Sequence, residues 1–309
     1  MIYPGILRHL SPFKKLLLMV LLALFSMSVF MLAGWLFALL IFNDFFTLIN
    51  NLGNYEDGRV ISLLKYLQIV SQIGLFIMPP IIFAYLDGGN IRVYLRLNIV
   101  PGTQIIILGS IMIFAALPMV HWWAGINEMM RFPEWLRGLE LWMKQSEKGA
   151  EEVTRAFLNV GTIGGLMINI LMIAILPALG EELLFRGVLQ KLLHQWFRNV
   201  HWAVLVSAVI FSALHLQFYG FLPRTILGIM FGYLFVITKS LWVPILVHFL
   251  NNGAAVLAAF LYRKDFLESD FNEIGQLSNP VWVIGSLLMV LMLFTVIYRL
   301  SDTREDILP

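Results

Sequence analysis

The chain has 309 residues, 60% of them hydrophobic and 13% charged, with a net charge of +2 and no cysteine. A soluble domain is about half apolar and one quarter charged, so this composition exceeds what a water-facing surface can carry and places the chain in a bilayer. The near-neutral balance excludes a nucleic-acid footprint, and the missing cysteines exclude disulfides, thiolate metal sites and cysteine nucleophiles.

Residues 16–42 carry no charge. As a helix this run is about 40 Å long against a hydrocarbon core of about 30 Å, so it spans at a tilt. It is too long for the apolar core of a cleavable signal peptide and reads as a retained first span. Further charge-poor runs follow at 66–86, 99–123, 157–180, 201–217, 241–262 and 281–298, with shorter or interrupted ones at 183–196 and 221–238. The expectation is an all-α polytopic transmembrane bundle of about eight or nine spans in the cell membrane, with a kink at Pro79-Pro80. Arg8, Lys14 and Lys15 ahead of the first span favour a cytoplasmic N-terminus. The segment 124–156 is the one sizeable polar connection. Leu136, Leu139, Trp142 and Met143 recur in it at helical spacing, with Glu140/Lys144 and Glu151/Arg155 four apart on the opposite side, which describes an interfacial amphipathic helix. A connector lying on the bilayer is the simpler reading, and a lid over a membrane site the sharper one. The chain thus divides into N-terminal spans (1–123), this connector (124–156), a helical core (157–262), and a loop, last span and short solvated tail (263–309).

Ionisable residues inside spans cost about 2.5–3.5 kcal/mol each on insertion scales, so their positions are functional hypotheses. Lys65 and His121 sit at span ends in the first 180 residues, whereas Glu181, Glu182, Arg186, His215, Arg224 and His248 crowd the stretch beyond, with Asn251 and Asn252 close behind. Pro177 and Gly180 are expected to break the preceding helix, so that a new one starts near Glu181. On it Glu182 and Arg186, four apart, share a face and suit an ion pair, while Glu181 points elsewhere and is free to act as a base. With a reversal near Arg198-Asn199, Glu181 and His215 lie at similar depth on antiparallel helices. His248 and Asn252 share a face of a later helix. By rise alone His248 lies about 10 Å from the depth of His215, a gap that tilt or an irregular helix must close.

The ordered strings Glu181-Glu182-x-x-x-Arg186, Phe211-x-x-x-His215 and His248-x-x-x-Asn252, on successive apolar helices, resemble the CPBP family, the CAAX protease and bacteriocin-processing proteins. The resemblance covers roughly residues 160–260. It implies an intramembrane endopeptidase with Glu181, Glu182, Arg186, His215, His248 and Asn252 as the catalytic set and a peptide or membrane-associated protein as substrate. It leaves two mechanisms open. In one, Glu181, His215 and His248 hold zinc or another divalent metal; in the other, Glu181 and His215 activate water directly while His248 and Asn252 stabilise the oxyanion. A non-catalytic alternative, a proton-coupled transporter or a scaffold, would use the same Glu/His cluster as a relay. The confinement of the charges to one half, without internal symmetry, weighs against the transporter.

Overall fold

The computed structural model describes residues 5–264 and 280–302, and every described regular element is helical. The proposed loop after residue 264 and the solvated tail after 302 lie outside the described residues. Among the described residues seven helices are long and apolar enough to cross a membrane: α1 (Pro12–Ile41), α2 (Gly58–Gly88), α3 (Thr103–Met129), α5 (Ile163–Phe197), α7 (Phe221–Thr238), α8 (Trp242–Arg263) and α9 (Pro280–Asp302). The amphipathic connector forms α4 (Arg137–Leu158), and a shorter apolar helix, α6 (Val200–Ala213), lies between α5 and α7. Counting α6, the described residues form eight apolar helices, and the chain is a multi-pass membrane protein.

The count is eight because the expected runs 157–180 and 183–196 are one rod. The break anticipated at Pro177 and Gly180 does not occur. Pro177 falls just after a π-helical turn, Ile170–Ile175, and a second π turn, Phe185–Leu189, follows the two glutamates. The wider turn absorbs the lost amide donor and the ring's bulk that would otherwise end the helix. Glu181 and Glu182 therefore sit in mid-helix, not at a helix start. A third π turn, Ile73–Ile77, precedes Pro79-Pro80 in α2 and serves the same purpose. These irregular turns of α2 and α5 meet where Gly180 passes Phe76. A Cβ at Gly180 would come 2.8 Å from the Phe76 Cβ, so the crossing requires glycine.

Two apolar cores fix the frame. One gathers Met112, Phe231, Leu234, Val247 and Leu293 from α3, α7, α8 and α9; the other gathers Met19, Phe83, Leu183, Leu192 and Phe235 from α1, α2, α5 and α7. Large side chains on α1 and α9, such as Phe25, Leu36, Leu288 and Met292, remain exposed, as lipid-facing positions must. The reversal between α5 and α6 falls where the sequence places it. Arg198 takes a left-handed φ of 53°, and the Asn199 side chain accepts hydrogen bonds from the amides of His201 and Trp202. Lys239, at φ 55°, closes the turn between α7 and α8.

Candidate active site

Glu182 is the hub of the buried polar groups. Its Oε1 accepts from Arg186 Nη1 at 2.7 Å, one turn along α5, and from His248 Nδ1 at 2.9 Å, across from α8. Glu182 is 0% exposed, Arg186 1% and His248 4%. The arginine is held from three sides: Nη2 donates to the Gly228 carbonyl of α7 at 3.0 Å, and the guanidinium carbon lies 5.0 Å and 5.5 Å from the Phe211 and Phe231 ring centroids. One ion pair thus ties α5 to α7 and α8. Read from sequence, Glu182 and Arg186 pair as i,i+4 neighbours; the link from Glu182 to His248 is tertiary and has no sequence signal.

Glu181 faces another way, as its 100° offset on the helix requires. Its Oε2 lies 3.8 Å from His248 Nε2, beyond a direct hydrogen bond but the spacing a bridging water can fill. Because Nδ1 of His248 faces a carboxylate oxygen that can only accept, Nδ1 carries the proton, and in the neutral ring Nε2 offers a lone pair toward Glu181. His215 follows the same logic. It lies just past the end of α6, its Nδ1 donates to the Phe211 carbonyl at 2.8 Å, and its Nε2 is left as the acceptor. Phe211 joins the two imidazoles, with its ring centroid 5.0 Å from that of His215 and 6.2 Å from that of His248.

Glu181, His215, His248, Asn251, Asn252 and Arg224 all line one cavity of about 730 Å³, so the shared depth read for Glu181 and His215 holds and the gap read for His248 is closed. Asn252 donates from Nδ2 to the Ile173 carbonyl at 3.1 Å, inside the first π turn of α5, and its Oδ1 accepts from Asn251 Nδ2 at 3.0 Å. That orders the two amides: Asn252 is anchored and Asn251 props it. Arg224, not assigned a role from sequence, is set by Gln217, which accepts from it through both its side chain and its carbonyl oxygen. The available signal was a lone cation at the start of an apolar run.

The connector does more than lie on the bilayer. Ala150, Val153, Thr154 and Phe157 of α4 line the same cavity, and Glu147 Oε2 accepts from the Tyr219 amide at 3.0 Å, fastening α4 to the loop that carries His215. The i,i+4 pairs Glu140–Lys144 (2.7 Å) and Glu151–Arg155 (2.8 Å) form as the sequence anticipates. Leu139 and Trp142 stay exposed beside them.

The proposed three-ligand metal set is not assembled. Among the described residues no three His, Asp or Glu side chains gather closely enough to hold an ion. Glu181 Oε2 and His248 Nε2 converge, and 3.8 Å is near the roughly 3.4 Å that separates two ligands of a tetrahedral zinc. His215 does not complete the set as placed, since no third His, Asp or Glu joins the pair among the described residues. This donor set does not fit a metal.

The family model described as Type II CAAX prenyl endopeptidase Rce1-like matches residues 163–254, a stretch that contains all six motif residues. Two curated proteins of Bacillus subtilis (strain 168) are similar. The one named Putative membrane peptidase YdiL is 30% identical over 122 residues, covering 40% of this chain and 49% of that protein; Uncharacterized protein YpbD is 31% identical over 86 residues, covering 26% and 41%. The matches thus span less than half of either relative. No solved structure gives a significant match. The family-model match and the likeness to YdiL show the resemblance of this segment to the CPBP family.

Proposed function

We propose that this chain is an intramembrane endopeptidase of the CAAX prenyl protease and bacteriocin-processing type, acting on a peptide or membrane-associated protein that reaches it within the bilayer. The observation that carries the reading is the split between the adjacent glutamates: Glu182 holds both Arg186 and His248 on its Oε1, while Glu181 faces a cavity and the Nε2 of His248 at 3.8 Å. A water held between those two atoms can lose a proton to Glu181 as its oxygen adds to the peptide carbonyl carbon. The C–N bond then breaks, and protonated Glu181 returns the proton to the leaving amine. His248, its Nδ1–H taken by Glu182, accepts from that water and orients it. The amide N–H of Asn252 not used by Ile173, with Arg224, supplies donors for the oxyanion. His215 offers its Nε2 as a second acceptor lining the cavity. The resemblance leaves His248 open as a metal ligand or an oxyanion stabiliser; a proton on Nδ1 supports the acceptor role.

The test compares the membrane peptidomes of cells carrying the parent protein and the Glu181→Gln variant. Specific uncut peptides that accumulate with the variant name the substrate, and their C-terminal residues report whether it is prenylated. Equal cleavage by both purified proteins overturns the reading. Chelator treatment in detergent tests the metal: activity that is lost and then restored by zinc would mean that the His215 loop rearranges to complete a site.

A further inference from the structure

At the far end of α5 from its start, a second cavity of about 330 Å³ opens among helix ends. Arg8 precedes α1, Gly88 closes α2, Arg96 follows the short helix Ile91–Tyr94, Lys191 and His194 lie in the last two turns of α5, and Val200 starts α6. Its described lining holds two permanent cations, Arg8 and Arg96, a third basic side chain, Lys191, and no carboxylate. The nearest acid in sequence, Asp87, is buried and already paired to Lys15 at 2.6 Å. His194 lines the cavity too, and its Nδ1 is buried with no hydrogen-bond partner in the protein. Lys191 donates to the Tyr94 carbonyl and lies 4.9 Å and 5.6 Å from the Tyr94 and Phe235 ring centroids, which fixes its ammonium with donors to spare.

Two guanidinium groups and a lysine converging on a concave space without an acid attract an anion, and guanidinium forks match the oxygens of a phosphate. The level of the cavity says where such an anion comes from. Every element lining it begins or ends there, so it sits where the spans leave the hydrocarbon and meet the headgroups. Val93, Val200, Ala203 and Val236 add an apolar wall against which the first carbons of a lipid can lie. We propose that this cavity is a binding site for a phosphate group, supplied by the headgroup of an anionic phospholipid. Lys191 lies ten residues along α5 from Glu181, a rise of about 15 Å, so an occupant braces the helix that carries the catalytic glutamates.

The test is lipid binding to the full chain in detergent, read by native mass spectrometry. Phosphatidylglycerol, phosphatidylcholine with the same acyl chains and inorganic phosphate are offered separately and then in competition. Phosphatidylglycerol should bind about tenfold tighter than phosphatidylcholine, whose choline the cations repel, and the double variant Arg8→Gln/Arg96→Gln should lose about that tenfold, the scale of one charge-assisted hydrogen bond. Arg8 is exposed and Arg96 half-buried, so neither substitution empties a packed position, and thermal unfolding of the variant checks the fold; Lys191→Met is the deeper probe. Lys148→Gln/Arg155→Gln, which removes the same charge from the exposed side of α4, should bind like the parent. Displacement by millimolar inorganic phosphate assigns the site to free phosphate, and resistance assigns it to the lipid. Equal binding of the two lipids by the parent, undiminished binding by the arginine variant, or an equal loss in the α4 control overturns the proposal.

Discussion

Two regions of the bundle bury charge, and they use it differently. In the N-terminal half, Lys15 meets Asp87 at 2.6 Å, and Lys65 donates to the Phe157 carbonyl at 2.9 Å and to Asn169 Oδ1 at 2.7 Å. Each of these cations ends on a partner that holds helices together; Lys65 in particular meets the carbonyl end of α4, the negative end of its dipole. In the second half the same kind of pairing, Glu182 with Arg186, also presents His248 to a cavity and leaves Glu181 beside it without a cation of its own. What distinguishes a reactive cluster from a structural one is thus not burial or charge but a group left unpaired where a substrate can enter.

The sharpest way to break that comparison is Glu181→Gln. Gln keeps the shape and loses the base, so cleavage should fall by at least about a hundredfold while the melting temperature in detergent stays at the parent's value. A variant that still cleaves at the parent rate would remove the distinction between the halves.

Next comes Glu182→Gln, together with Arg186→Gln. Either one leaves its partner charged in a site that is 0–1% exposed, and the loss should be about 3–5 kcal/mol of stability along with activity, since His248 loses its anchor. Thermal unfolding beside cleavage rate reads both. If both variants are as stable as the parent, Glu182 is not the hub.

The structural half gives a smaller effect of a different kind. Lys65→Met should cost about 1–3 kcal/mol, because the Asn169 oxygen loses its donor in a buried site. Lys65 does not line the Glu181 cavity, so on the proposed function turnover per folded molecule should hold. A specific loss of turnover with full stability would place Lys65 in the wrong class.

How much of this was legible beforehand depends on the range of the interaction. Apolar runs are local, so the all-helical bundle was readable, and so was the i,i+4 pair of Glu182 and Arg186. The turn at Arg198-Asn199 was readable from loop chemistry, and with it the common depth of Glu181 and His215. The merging of two runs into α5 was not, because a π turn before Pro177 converts a helix breaker into a tolerated residue and carries no residue signature of its own. The contact of His248 with Glu182 spans 66 residues and that of Lys65 with Asn169 spans 104, distances over which spacing says nothing about geometry. The placement of His215 has the same limit: its depth was readable, but the end of α6 and the Phe211 carbonyl set where its ring points.

The connector α4 belongs to neither half, and the smallest effect tests on which side it stands. It is anchored near its C-terminal end by Lys65, a structural contact, yet Ala150, Val153 and Thr154 line the Glu181 cavity and Glu147 holds the Tyr219 amide at 3.0 Å. That bond joins α4 to the loop bearing His215 and Gln217, the residue that sets Arg224. Glu147→Ala leaves the Tyr219 amide without its acceptor at a partly exposed place that water can reach, so the stability cost should stay within about 1 kcal/mol. Glu147→Gln retains an acceptor and should cost less. If α4 is a wall of the site, loosening it lets the substrate-bearing space vary, and the alanine variant should show KM raised by about two- to fivefold, the range expected for one lost neutral-donor bond, with kcat nearly kept. The glutamine variant should restore most of that change. Parallel measurement of KM and kcat in detergent for the two variants decides the matter. Unchanged kinetics in Glu147→Ala would return α4 to the role of a connector resting on the bilayer, and an equal loss in both variants would show that the charge, not the hydrogen bond, is what the loop requires.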